Sequence, residues 1–143
     1  MRVLLADDSD LILDWLKEML SVFKQIEIVA TLKNGKEALD AMRLLKPDLA
    51  IVDLKMPGLS GLEVLKEIRK VDKKVKFIIL TFYAFDPYRQ SAVKAGVDYF
   101  FSKVDDTEQV LLVVKGLLEK ETKKNKNDEI YHSSDVVSND LIS

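Results

Sequence analysis

Five polar residues occupy positions where their types and spacing allow chemistry. Asp7 and Asp8 follow the apolar run Arg2–Ala6, and Asp53 follows Leu49–Val52. Thr81 follows Val75–Leu80, and Lys103 comes after Val97–Phe101. Three carboxylates brought together repel one another, and a hard divalent cation with oxygen ligands offsets that repulsion. Mg²⁺ suits such a site because it keeps its waters and takes few protein carboxylates. Bound there, it also bridges to phosphate oxygens. Lys103 supplies positive charge for a phosphoryl group and Thr81 a hydroxyl donor. A carboxylate is itself a competent nucleophile and becomes an acyl phosphate. The chemistry that fits these residues is phosphoryl transfer onto an aspartate.

These residues can meet only if the elements before them align. Ser9 predicts a helix N-cap, with Asp10 favourable in the first turn. Ile12, Trp15, Leu16, Met19, Leu20 and Phe23 then recur at helical spacing. Ile26–Leu32 reads as a second strand, and Asn34-Gly35 turns the chain into a helix carrying Ala38, Met42 and Leu45. Pro47 ends it, and Leu49–Val52 is a third strand. A loop from Asp53 to Ser60 leads to a helix with Val64, Leu65, Ile68 and Val71 on one face. Val75–Leu80 is the fourth strand. Pro87 suits the first turn of the next helix and Gly96 its end. Val97–Phe101 is the fifth strand, and Val110, Val113, Val114, Leu117 and Leu118 mark the inner face of a last helix. Strands alternating with helices predict an α/β fold: a five-stranded parallel sheet, doubly wound, in a single domain. In such sheets ligands bind beyond the carboxyl ends of the strands, where the five polar residues sit.

Singly, each residue has an ordinary explanation: an Asp pair as helix cap, a lone Asp as turn residue, a Thr or Lys as a strand end. Their joint placement, after four of the five expected strands, favours chemistry. The chain has 143 residues and 48% apolar composition, enough for one core. A net charge of −2 with mixed signs argues against direct nucleic-acid binding by this chain. There is no cysteine, hence no disulfide framework and no thiolate metal site. No apolar run is long enough for a membrane span, and the first residues do not read as a secretory signal. These features fit a cytoplasmic protein. After about Lys120 the composition turns charged and polar, so 121–143 is expected to be a linker or tail, partly disordered, beside a domain at 1–120.

The segment Asp53-Leu54-Lys55-Met56-Pro57-Gly58-Leu59-Ser60-Gly61 has the form D-x-x-M-P-G-x-x-G. With Asp7-Asp8, Thr81, and Gly96 ahead of Lys103, it resembles the receiver domains of bacterial two-component response regulators, over about Arg2 to Lys120. The resemblance implies a flavodoxin-like receiver fold with Asp53 as phosphoacceptor. It implies that Asp8 ligates Mg²⁺ directly, Asp7 through water, and that the main-chain carbonyl of Lys55 completes the protein ligands. Thr81 would close on the phosphoryl oxygen, and Phe100 falls at the family's aromatic switch position. The donor would be a sensor histidine kinase or a small phosphodonor. The output surface would be the fourth helix, fifth strand and fifth helix, around 86–95 and 97–118. It would act on an output domain or partner protein, and a homodimer is a further option. Two residues depart from the usual pattern. Val104 replaces the common proline after the lysine, and Phe82 stands where a small residue is usual. Lys55 and Tyr83 are expected to influence how fast water removes the phosphate.

The stretch from Glu129 to Ile142 resembles the segment before the helix-turn-helix of LuxR-type regulators, and His132 within it reads as a solvated tail residue. On that resemblance the chain is a transcriptional regulator's receiver without its DNA-binding domain. The alternative is a stand-alone phosphorelay or protein-interaction receiver. Either way it is a signalling phosphoacceptor, not an enzyme beyond its own phosphorylation and dephosphorylation. A Mg²⁺-dependent phosphohydrolase would use the same acids but needs a substrate pocket and general acid, and the sequence has no inserted cap. A flavodoxin-like cofactor binder needs a phosphate loop after the first strand, where Asp7-Asp8 would repel the phosphate.

Overall fold

Short runs of Val, Ile, Leu and Phe, each closed by polar residues, form the strands of a computed structural model of the chain. It describes the backbone of residues 1–142 and the side chains of residues 1–124. The elements are β1 (Arg2–Ala6), α1 (Asp10–Leu20), β2 (Glu27–Leu32), α2 (Gly35–Leu45), β3 (Leu49–Val52), α3 (Gly61–Arg69), β4 (Lys76–Thr81), α4 (Asp86–Ala95), β5 (Tyr99–Ser102) and α5 (Thr107–Ile142). The strands form one parallel sheet in the order β2-β1-β3-β4-β5. The winding reverses beside β1, so a crevice opens beyond the carboxyl ends of β1 and β3.

Strand side chains alternate between faces. Leu4, Ala6, Ala50, Val52, Phe77 and Ile79 join Ala38, Leu39 and Met42 of α2, Val64, Leu65 and Ile68 of α3, and Ala92 of α4 in one buried cluster. The intervening Val3, Leu5, Ile51, Ile78 and Leu80 are equally buried, as are Leu13, Leu16 and Leu20 of α1. Burial on both faces explains why the strands read as continuous apolar runs.

The helices begin where the chain offers caps. Ser9, Asn34 and Ser60 accept backbone N–H groups at the starts of α1, α2 and α3, and Ser60 with Glu63 completes a capping box. Gly35 is required by close approach: a Cβ there would lie 1.9 Å from the carbonyl oxygen of Leu59. Helix α4 is different. It starts after Phe85 with no side-chain cap, and Ala92 is its one buried residue.

Several boundaries differ from those expected. β2 starts at Glu27 rather than Ile26, β4 covers Lys76–Thr81, and β5 covers Tyr99–Ser102 rather than Val97–Phe101. Val97 is still tied to the end of α4, its N–H donating to Ala92, so the strand starts later. α1 ends at Leu20, short of Phe23, and α3 ends at Arg69. Beyond α3, Val71 swings out to 72% exposure instead of joining the inner face. The largest difference is α5. Its backbone is helical to Ile142, through the stretch expected as a linker or tail. Apolar spacing marks a helix only where one face is buried. Glu and Lys keep good helix propensity beyond that point. The side chains of Glu129–Ile142, His132 included, lie outside the described residues. Met1–Val110 forms one compact unit and Leu111–Ser143 a second. Among the described residues no helix is long and apolar enough to cross a membrane.

Candidate functional site

Backbone hydrogen bonds continue the sheet one step past β1, β3 and β5 and fix where the polar residues stand. Asp7 N–H donates to Leu32, Asp53 N–H to Ala6, and Lys103 N–H to Thr81. The carboxylates of Asp7, Asp8 and Asp53 thereby converge, with an oxygen of each within 4.8 Å of the others. Asp7 and Asp53 are buried and Asp8 is exposed. The Lys103 ammonium, itself buried, donates to Asp7 at 2.6 Å and lies 3.2 Å from Asp53. Thr81 is fully buried, and its Oγ1 accepts the Tyr83 N–H at 3.0 Å, which leaves the hydroxyl proton free to donate elsewhere. Of the five residues singled out in the sequence, the structure gathers the three carboxylates and the Lys103 ammonium, and Thr81 is linked to Lys103 through its carbonyl.

Burial dominates the electrostatics of Asp53 and pushes its carboxyl from 3.8 up to about 6. Lys103 opposes the rise by charge, Asp7 adds to it by repulsion, and hydrogen bonds from Lys103 and the Lys55 backbone N–H favour the ionised form. One ammonium against three carboxylates leaves net negative charge at a site lined with hard oxygen donors. That donor set fits Mg²⁺, which binds through one or two carboxylates and retains waters.

The D-x-x-M-P-G-x-x-G segment has a steric basis at its last position. A Cβ on Gly61 would lie 2.2 Å from the carbonyl oxygen of Asp53, so only glycine lets α3 start this close. Past β5, the Ser102 hydroxyl accepts the N–H groups of Val104 and Asp105, and the Asp106 carboxylate accepts that of Ser102. These bonds hold the loop that carries Lys103. Phe82 is 57% exposed, with its ring centroid 4.9 Å from the Lys103 ammonium.

Phe100 is buried, and the Arg89 guanidinium stacks on its ring at 4.8 Å while donating to its carbonyl at 2.9 Å. Sequence reasoning missed Arg89. It also missed Tyr88, whose hydroxyl lies 3.2 Å from the Lys55 ammonium. Neither carries a local signal, because each acts on a residue distant in the chain.

The fold and the acidic crevice together define a phosphorylation-type receiver domain of the doubly wound class. The family model described as "Response regulator receiver domain" matches residues 3–115, and the chain belongs to that family. It is 32% identical to the transcriptional regulatory protein DesR of Bacillus subtilis (strain 168), over 81% of this chain and 57% of that protein. The crystal structure of a LuxR-family DNA-binding response regulator from Staphylococcus aureus superposes with a TM-score of 0.75. It shares 30% identity, covering 80% of this chain and 96% of that one. The receiver domain of AraT, a response regulator from Geobacillus stearothermophilus, gives a TM-score of 0.74 at 31% identity over 87% of this chain and 97% of its own. The chain spans about half the length of the curated relatives it matches.

Proposed function

We propose that Asp53 accepts a phosphoryl group and that the receiver uses the resulting change to control an output. The carrying observation is the shared ammonium: Lys103 stands between Asp7 and Asp53, 3.2 Å from the acceptor carboxylate. An Asp53 oxygen forms the new O–P bond. The donor's P–N bond, in a phosphohistidine, or its P–O bond, in an acyl phosphate, breaks, and the leaving group keeps the electron pair. Lys103 neutralises charge on the incoming group, and the Thr81 hydroxyl donates to a phosphoryl oxygen. Asp8 directly, Asp7 through water, Asp53 and the main-chain carbonyl of Lys55 would hold Mg²⁺. When bound, Mg²⁺ offsets the negative charge of both carboxylates and phosphoryl oxygens.

The output step rests on α4 and β5. Thr81 ends β4 opposite Ser102, and Phe100 stands two residues earlier on β5, opposite Ile79 and under Arg89 of α4. Movement of Thr81 toward the phosphoryl group opens space for Phe100, and α4 follows. Relatives named as transcriptional regulators make gene control the output we infer, with a sensor histidine kinase as donor and the cytoplasm as the place. A homodimer formed through α4 and β5 is compatible with this reading.

The test is intact mass after incubation with acetyl phosphate and Mg²⁺. Wild type is expected to gain one phosphoryl group on Asp53, and Asp53→Asn none. Uptake by the variant at the wild-type rate overturns the assignment.

A further inference from the structure

Lys55 reaches two places at once. Its backbone stands two residues past Asp53, in the acceptor loop. Its side-chain ammonium lies in the opposite company: 3.2 Å from the Tyr88 hydroxyl, 4.8 Å from the Tyr88 ring centroid and 5.5 Å from that of Tyr83. Tyr83 lies in the β4–α4 loop and Tyr88 in the first turns of α4. A single residue therefore ties the acceptor loop to α4 by a hydrogen bond and a cation–π contact at Tyr88, and to the β4–α4 loop by a second cation–π contact at Tyr83.

That tie matters because α4 is thinly buried, with only Tyr88 and Ala95 packed partly buried against the core beside Ala92. It lacks the side-chain cap that opens α1, α2 and α3, and Ala92 is its one buried residue. An element with few buried contacts opens at low cost. Tyr88 holds it toward the acceptor loop, and the neighbouring Arg89 holds it toward β5.

We propose that Tyr88 is a positioning residue for Lys55, and that the two form a charge-operated tether on α4. This rests on the reading of Asp53 as phosphoacceptor. With Asp53 bare, the aromatic pair holds the ammonium. An anionic phosphoryl group on Asp53 competes for it, and a flexible lysine stem anchored beside the carboxylate can swing across. Lys55 then leaves Tyr88, and α4 loses that tie while keeping the one through Arg89. This route to α4 runs parallel to the one through Thr81 and Phe100 and uses different residues.

Linkage makes the tether measurable. If the phosphoryl group releases Lys55 from Tyr88, then removing Tyr88 strengthens binding of a phosphoryl mimic by the same factor. An exposed cation–π and hydrogen-bonded contact of this kind corresponds to about two- to fivefold in affinity. The probe is beryllofluoride with Mg²⁺, titrated against wild type, Tyr88→Leu, Tyr88→Phe, Lys55→Met and the Lys55→Met/Tyr88→Leu double variant. Tyr88→Leu is expected to bind about two- to fivefold more tightly, and Tyr88→Phe, which keeps the ring, by less. In the Lys55→Met background, Tyr88→Leu is expected to change nothing. NMR supplies a readout that altered packing alone does not reproduce. The Lys55 ε-methylene protons should be shifted upfield by the tyrosine rings in the free protein and should lose that shift when beryllofluoride binds. Equal affinity in wild type and Tyr88→Leu overturns the tether. So does an effect of Tyr88→Leu that persists without Lys55, or a ring-current shift unchanged by the probe. Failure of wild type to bind beryllofluoride overturns the phosphoacceptor reading as well, whereas saturable binding with Lys55 unmoved removes the tether alone.

Discussion

Asp53 is a carboxylate kept from water, so its protonation is a property of the fold. Its folded value of about 6 lies above the ordinary 3.8. The folded state therefore binds the proton more tightly than the unfolded chain. Stability contributed by this group falls as pH rises from about 4 to about 6, then levels off, with a total near 3 kcal/mol as an upper figure. Asp53→Asn cannot ionise. In metal-free protein it is expected to be more stable than wild type at pH 8 by on the order of 1–3 kcal/mol. The difference should vanish near pH 4, and urea midpoints at the two pH values check it. The other two acids should separate by role. Asp8 is exposed and without a cation partner among the described residues, whereas Asp7 is buried against Lys103. Asp8→Ala is expected to weaken Mg²⁺ binding by about tenfold or more, with little effect on the metal-free fold. Asp7→Ala is expected to weaken Mg²⁺ less and to cost stability, because Lys103 keeps only Asp53 as a buried counter-charge. Mg²⁺ titration followed by NMR, beside denaturation of each variant, measures both. Equal Mg²⁺ affinity in wild type and Asp8→Ala refutes the assignment of Asp8 as direct ligand.

At the scale of elements, each site residue stands at or within two residues of a strand's carboxyl end, and the helices set how near their neighbours approach. Gly61 shows how tight that setting is. An alanine there must push α3 away from the Asp53 carbonyl or bend the loop that carries the acceptor. Gly61→Ala is expected to destabilise the protein by about 2–4 kcal/mol, the cost of an overpacked backbone contact. It should also slow phosphoryl uptake, because Asp53 is displaced with the loop. Wild-type stability and uptake in the variant would show that α3 has slack the geometry does not reveal. Helix α4 is at the other extreme, uncapped and thinly buried, and it is the element a small change in charge can move.

For the molecule as a whole, the open matter is where the receiver ends. Glu121, Thr122, Lys123 and Lys124, the last residues whose side chains are described, are exposed on α5. A chain ended at Lys120 is expected to keep its urea midpoint and its phosphoryl uptake. A midpoint lowered by more than about 1 kcal/mol equivalent would place the boundary further along the helix.

Much of this protein is legible in its residues taken in order. Strand runs buried on both faces lose the alternation of half-buried strands and read as unbroken apolar blocks, so β1, β3 and β4 are visible directly. Asp7, Asp8, Asp53, Thr81 and Lys103 follow from them, because a parallel sheet carries every strand's end to one edge. The cap Ser9 is equally local. What only tertiary structure decided is whatever depends on a partner far along the chain. Asp53's raised pKa comes from burial and from Asp7, against the opposing charge of Lys103. Gly61 is explained by the approach of Asp53's carbonyl, and Gly35 by that of Leu59. Tyr88 and Arg89 are ordinary helix residues until the fold sets one against Lys55 and the other against Phe100. Local spacing encodes which face a residue takes; it does not encode which distant side chain waits there.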